Sequence, residues 1–159
     1  RPGALVLGRP LFAASAPRSR LYGRKVSQVF VWLETLSFAI RDPLCGFRCF
    51  PLAATLELLD RRPLGDRMDF DPEIAVRLAW RGVPVVNVPT RVVYREGGLS
   101  HFEPVADTLR IARAHTRLVF GMLPRAPLLL ARALRDGLAR LAAAGSARAL
   151  RAPSVEGDA

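Results

Sequence analysis

Cysteine and histidine are nearly absent from this chain: two of each in 159 residues, at Cys45, Cys49, His101 and His115. A C-x3-C pair with distant histidines lacks the paired short spacings of a zinc site, and the cysteines read as reduced thiols of a cytosolic protein. Long apolar runs are missing too. The best candidates, 118–123 and 128–131, are separated by Pro124, Arg125 and Pro127, and neither approaches the roughly 18 residues that cross a bilayer. No signal-peptide pattern opens the chain, whose first residue is Arg1, so it reads as a piece of something longer. Aromatics make up 8% of the residues and hardly enter the basic C-terminal region, which argues against the interleaved basic–aromatic surface of a nucleic-acid binder. What is present suffices for a fold: half the residues are hydrophobic, and the length suits one domain or part of one.

Acids are scarce at both ends. Residues 1–40 hold six Lys/Arg and one acid, residues 104–159 hold nine and four, and the stretch between holds nine of each. The net charge of +10 therefore sits at the termini. The C-terminal basic region is rich in Leu and Ala, a composition suited to an anionic membrane surface.

The periodicity predicts an α/β order with no internal repeat. Residues 4–7 read as a strand. Val26, Val29, Leu33, Leu36 and Ile40 recur at helical spacing and predict an amphipathic helix over 24–40, which Asp42-Pro43 ends. A second helix is expected over 52–59. Asp71-Pro72-Glu73 is a helix start with Asp71 as cap, and Gly82 stops that helix. Residues 84–88 and 90–94 read as extended, with Pro89 marking an edge or a bend. Ser100-x-x-Glu103 resembles a capping box before a helix that runs to about Gly121, and a basic amphipathic helix follows over 126–144.

Two segments carry the functional reading. Asp42-Pro-Leu-Cys-Gly-Phe-Arg48 and Arg95-Glu-Gly-Gly-Leu-Ser-His101 each set an arginine and a short polar residue on glycine-permitted backbone, which is how a protein holds a phosphate oxygen closely. Between them, Asp69-Phe-Asp71 has the D-x-D form that holds a divalent cation, but Asp71 is equally well explained as a cap and 61–68 is polar and turn-like. Gly97 and Gly98 let main-chain N–H groups beside Arg95 turn toward an anion. Ser100 serves either as a cap or as a phosphate ligand at a helix N-terminus. His101 is open between phosphate contact, a stand-in for lysine, and plain exposure. Arg48 either binds ligand or pairs with Asp42 inside its own loop, and Glu73 is either an ordinary first-turn acid or a site residue.

In chain order, D-x-x-C-G-F-R, F-D-x-E, a G-V-x-V-x-x-V-P strand and R-x-x-G-x-S-H resemble the motifs of family 2 glycosyltransferases. The nearest branch is that of the dolichol- or polyprenol-phosphate mannose synthases and related bacterial enzymes, with D-x-x-S/T-G-F-R, F-x-x-E and R-x-x-G-x-S-K. The resemblance covers about residues 4–123. It implies a GT-A, Rossmann-like fold that binds a nucleotide sugar, of which residues 1–123 are the C-terminal, acceptor-side part. Residues 124–145 then form a basic amphipathic helix at a membrane surface, and 146–159 a disordered tail.

The resemblance assigns roles residue by residue. Arg95 contacts the donor diphosphate or the acceptor phosphate, and Gly98, Ser100 and His101, the last in the lysine position, close the same loop. Arg18, Arg20, Arg24 and Ser27 match a basic stretch that holds an acceptor phosphate, with Arg48 in the neighbouring motif. Asp42 and Glu73 lie on the acceptor side and are the candidate bases for a hydroxyl acceptor. A divalent cation, Mg or Mn, is expected in the complete enzyme, with ligands mostly outside this chain. The family's nucleotide-binding strand and its metal-binding D-x-D have no counterpart before residue 4. The expected function is sugar transfer from a nucleotide-sugar donor to a lipid-linked acceptor at the cytoplasmic membrane face, with this chain inactive by itself. The alternative is a non-catalytic peripheral membrane or scaffold module that binds anionic lipids through its basic ends. Neither reading expects nucleic acid as a partner or a metal site on these residues.

Overall fold

A computed structural model describes residues 3–12, 18–93 and 102–149, the side chains of 18–20, 140 and 143–149 excepted. The described residues form a mixed α/β unit. In order they give β1 (Leu5–Phe12), α1 (Arg18–Thr35), β2 (Arg48–Cys49), α2 (Leu52–Arg61), α3 (Phe70–Trp80), β3 (Val85–Val92) and α4 (Pro104–Met122). A single 3-10 turn, Leu123–Arg125, then leads into α5 (Ala126–Ala149).

The three strands lie in the order β2-β1-β3. β1 and β3 are parallel in an unbroken register from Leu5↔Val85 to Phe12↔Val92, so both carboxyl ends open at the same side of the sheet. β2 runs antiparallel to β1, with Leu7 opposite Arg48. Residues 42–47 therefore lie beside the carboxyl-terminal half of β1. Gly8 permits that approach, because a Cβ there would stand 2.6 Å from the Cys45 sulfur. The extended segments expected on either side of Pro89 are one strand, and it is an edge strand, where a residue without an N–H is tolerated.

One core holds these layers together. Leu5 and Leu7 of β1 pack with Val31 of α1, Ile74, Val76 and Leu78 of α3, and Leu118 of α4. The Trp80 indole N–H donates to the Glu34 carbonyl at 2.7 Å and ties α3 to α1, a buried bond with a net contribution of about 1 kcal/mol. Gly82 has φ +81 just past α3, the left-handed position that closes a helix.

Four sequence expectations do not hold. The helix predicted over 24–40 begins at Arg18 and ends at Thr35, because Leu36 adopts φ 49 and the Thr35 hydroxyl folds back onto the Val31 carbonyl. Its stripe of Val26, Val29 and Leu33 faces outward, while Ser27, Gln28, Val31 and Glu34 face inward. The buried side is a hydrogen-bonded polar network, so hydrophobic periodicity points to the wrong face. Second, Asp71 is not a cap: Asp69 occupies that position, without a capping bond, and Asp71 sits in the first turn. Third, Glu103 rather than Ser100 precedes α4; its N–H donates to Asp107 Oδ2 at 2.9 Å, and that bond holds the Asp107 carboxyl below its ordinary value. α5 also continues to Ala149, beyond Gly145, where the tail was expected to start.

Candidate functional site

Four charged side chains from separate segments form two ion pairs beside β1, one of them reaching its carboxyl end. Arg24 of α1 donates from Nη1 to both Asp42 oxygens, at 2.7 and 2.9 Å, and from Nη2 to the Leu44 carbonyl at 3.2 Å. Its guanidinium also lies 5.4 Å from the centre of the Phe12 ring, at the last residue of β1. Asp42 accepts the Leu44 N–H as well, at 2.8 Å, so its carboxylate shapes the 42–48 turn from within. That explains the D-x-x-C-G-F-R spacing locally: an aspartate before proline closes a turn over the residue two positions on.

Arg48 enters the same cluster from β2. Its Nη2 donates to the Cys45 carbonyl at 2.5 Å, and its Nη1 forms an ion pair with Asp71 Oδ1 at 2.8 Å. Of the two roles left open for Arg48, the pair with Asp42 does not form; two pairs, Arg24–Asp42 and Arg48–Asp71, join α1, β2 and the start of α3 instead. Burial holds the Asp71 carboxyl above its ordinary 3.8, against the opposing pull of Arg48 and then Arg24. The side chain is still 31% exposed, so this acid combines a raised proton affinity with access from solvent.

Glu73 stands elsewhere. Two positions apart on a helix, Asp71 and Glu73 point nearly opposite ways. Glu73 is 2% exposed and accepts from Arg77 Nε and Nη2, from Arg117 Nη2 and from the Gly65 N–H. It lines a cavity of about 410 Å³ with Arg62, Gly65, Asp69, Arg77 and Arg117. Asp42 and Glu73 therefore do not form a paired-carboxylate site. Asp69 Oδ1 is buried toward the Glu73 side without a partner, while Asp71 turns to Arg48, so the D-x-D carboxylates diverge. Among the described residues no group of three or more His, Cys, Asp or Glu could hold a metal ion.

Ser27 is brought to neither place. It is 4% exposed inside the α1–α4 interface, where its hydroxyl lies 3.3 Å from His115 Nε2, and His115 Nδ1 lies 2.7 Å from Glu34 Oε1. Phe30 stacks on that imidazole at 5.0 Å. Burial pushes the Glu34 carboxyl above its ordinary 4.5, with His115 opposing the shift. Arg20 lies in α1 with its side chain outside the described residues, and Arg95, Gly98, Ser100 and His101 lie outside them altogether.

Sequence reasoning missed Asp71 as a site residue, because its capping role seemed complete, and missed the Glu34–His115–Ser27 chain, which spans 88 positions. No local signal could have found the latter. No family model, curated protein or solved structure matches the chain.

Proposed function

We propose that this chain is the acceptor-side part of a sugar transferase that takes its donor from a nucleotide sugar. The observation that carries this reading is the grouping of Arg24, Asp42, Arg48 and Asp71 beside β1, with Arg24 over Phe12 at the strand's carboxyl end. Three of the stretches that resemble family 2 glycosyltransferases meet there in space, and β3 ends at the same side of the sheet as β1. Ligands of open α/β sheets bind outside the carboxyl ends of the strands. In the GT-A arrangement proposed here, Arg24 and Arg48 bias the cluster toward an anionic acceptor or leaving group, while Asp42 fixes the turn between them. Asp71 takes the base role first sought at Asp42 or Glu73. A hydroxyl acceptor needs its proton removed as the glycosidic bond forms, and a partly exposed carboxyl with raised proton affinity suits that task.

Radiolabelled sugar transfer from nucleotide sugars to membranes containing polyprenyl phosphate or to hydroxyl-bearing lipid and saccharide acceptors, catalysed by the protein that carries this chain, tests the reading. Arg95→Ala should lower turnover at least about a hundredfold, the roughly 3 kcal/mol of one charge-assisted contact to a developing anion. No transfer from any nucleotide sugar, or a variant within a few-fold of the parent, would sink it.

A second reading is favoured by α5. Leu134, Leu138 and Leu141 are 69%, 68% and 71% exposed on a helix that also carries the exposed Arg135, a pattern suited to an anionic membrane surface. Among the described residues no helix is long and apolar enough to cross a membrane. Sedimentation with anionic liposomes that is lost on removing residues 126–159, together with absence of any sugar transfer, would replace the enzyme reading with a non-catalytic membrane module.

A further inference from the structure

Away from the Arg24–Asp42 cluster, a groove of about 300 Å³ between α2, α3 and the 3-10 turn is lined by Arg61, Arg62, Arg77, Arg81 and Arg125 over Leu58 and Trp80. No carboxylate lines it. Glu57 answers Arg61 at 2.9 Å and Arg81 at 3.7 Å from outside, and Glu73 answers Arg77. Five guanidinium groups against two carboxylates leave three positive charges. α2 ends at Arg61 and α3 at Trp80, and their carbonyl ends favour nearby cations. Even if both ends count in full, at about half a charge each, they offset only about one of the three. Roughly two positive charges stay uncompensated in a concave site.

The arginines differ in what holds them. Glu57 is 55% exposed and Arg61 69% exposed, so that pair is weak and the guanidinium is readily recruited. Arg125 is fixed in place: it donates to the Gly121 carbonyl at 2.6 Å and lies 4.8 Å above the Trp80 ring. Arg77 gives Nε and Nη2 to Glu73, contacts that leave its Nη1 unengaged. Among the described residues no carboxylate pairs with Arg62 or Arg125. Convergent guanidinium forks, partly held in advance, are the donor set that recognises a phosphate oxygen by paired hydrogen bonds.

We propose that this groove binds a compact phosphate polyanion, either a free diphosphate or phosphate monoester or the monoester headgroup of a lipid. The site is separate from the proposed sugar-transfer cluster and does not depend on it. Inorganic pyrophosphate titrated into the full chain should move the Trp80 indole N–H resonance and leave that of Trp32 in place. Arg62→Ala with Arg125→Ala should weaken that response at least about tenfold, since two charge-assisted contacts are removed. Arg24→Ala should leave it unchanged. Vesicles of phosphatidylcholine with and without phosphatidic acid separate the two sources. Retention that requires phosphatidic acid and falls in the double variant assigns the lipid headgroup, whereas a Trp80 response without such retention assigns a free phosphate. Overturning results are a Trp80 resonance indifferent to pyrophosphate in a chain whose vesicle binding ignores the double substitution, or a response equal in parent and double variant.

Discussion

Glu73 on α3 and Glu34 on α1 are buried to the same degree, 2% and 0% exposed, and their surroundings differ completely. Glu73 is met by two arginines and a backbone N–H, so both oxygens have partners. Glu34 is met by one imidazole, and its Oε2 is buried with no partner. The first acid anchors α3 to α4 and to the turn at Gly65. The second binds α1 to α4 through a chain whose charge is discouraged by burial. Burial by itself thus says little about an acid's role; the number and charge of the donors around it decide how much of that burial is compensated.

The largest effect should come from Glu73→Leu. It leaves Arg77, whose side chain is 15% exposed, without a counter-charge, and loss of one partner from a buried pair costs about 3–5 kcal/mol. Arg117 is 56% exposed and adds little to that figure. Urea unfolding measures it, and a cost under about 1 kcal/mol would erase the contrast with Glu34.

Glu34→Gln should act in the opposite direction and with pH. A folded-state value raised above the ordinary 4.5 means that the protonated form is favoured in the fold. Its stabilising contribution is full below that pH and is lost as pH rises through the folded value. The amide should therefore flatten the decline in stability above about pH 4.5. It should be more stable than the parent at pH 8, because the amide has no ionised form for burial to penalise, although its NH2 inherits the partnerless position of Oε2. Asp71, also raised, contributes a slope of the same sign above its ordinary 3.8, and Asp71→Asn separates the two. A parent whose stability rises over that interval would contradict the account of Glu34.

Ser27→Ala should be the smallest change. It removes the hydroxyl 3.3 Å from His115 Nε2 and should cost about 1 kcal/mol, read from the thermal midpoint. Sugar transfer should be unaffected, because the serine faces the α1–α4 interface rather than Arg24; a large loss of turnover would return Ser27 to the site.

Particular residues show why part of this was readable in the sequence. Pro72 at the start of α3, Gly82 past its end and Pro89 in an edge strand each act through their own backbone, so their meaning is local. Asp42 is similar, since it caps its own turn. The partner of Arg48 was not readable, because Asp71 lies 23 positions on and only the tertiary fold brings the two side chains together. The inward face of α1 was misread for a related reason. Its buried Ser27, Gln28 and Glu34 look solvated in one dimension, and their partners His115 and the Arg41 carbonyl come from elsewhere in the chain.

The tight crossing at Gly8 has a consequence for thiol chemistry. Cys45 is 4% exposed and wedged against β1, whereas Cys49, one short strand away, is exposed, and both are free. An alkylating reagent should modify Cys49 at once and reach Cys45 only when the β1–β2 pairing opens. The two sulfurs thereby time the fraying of that sheet edge, separately from global unfolding.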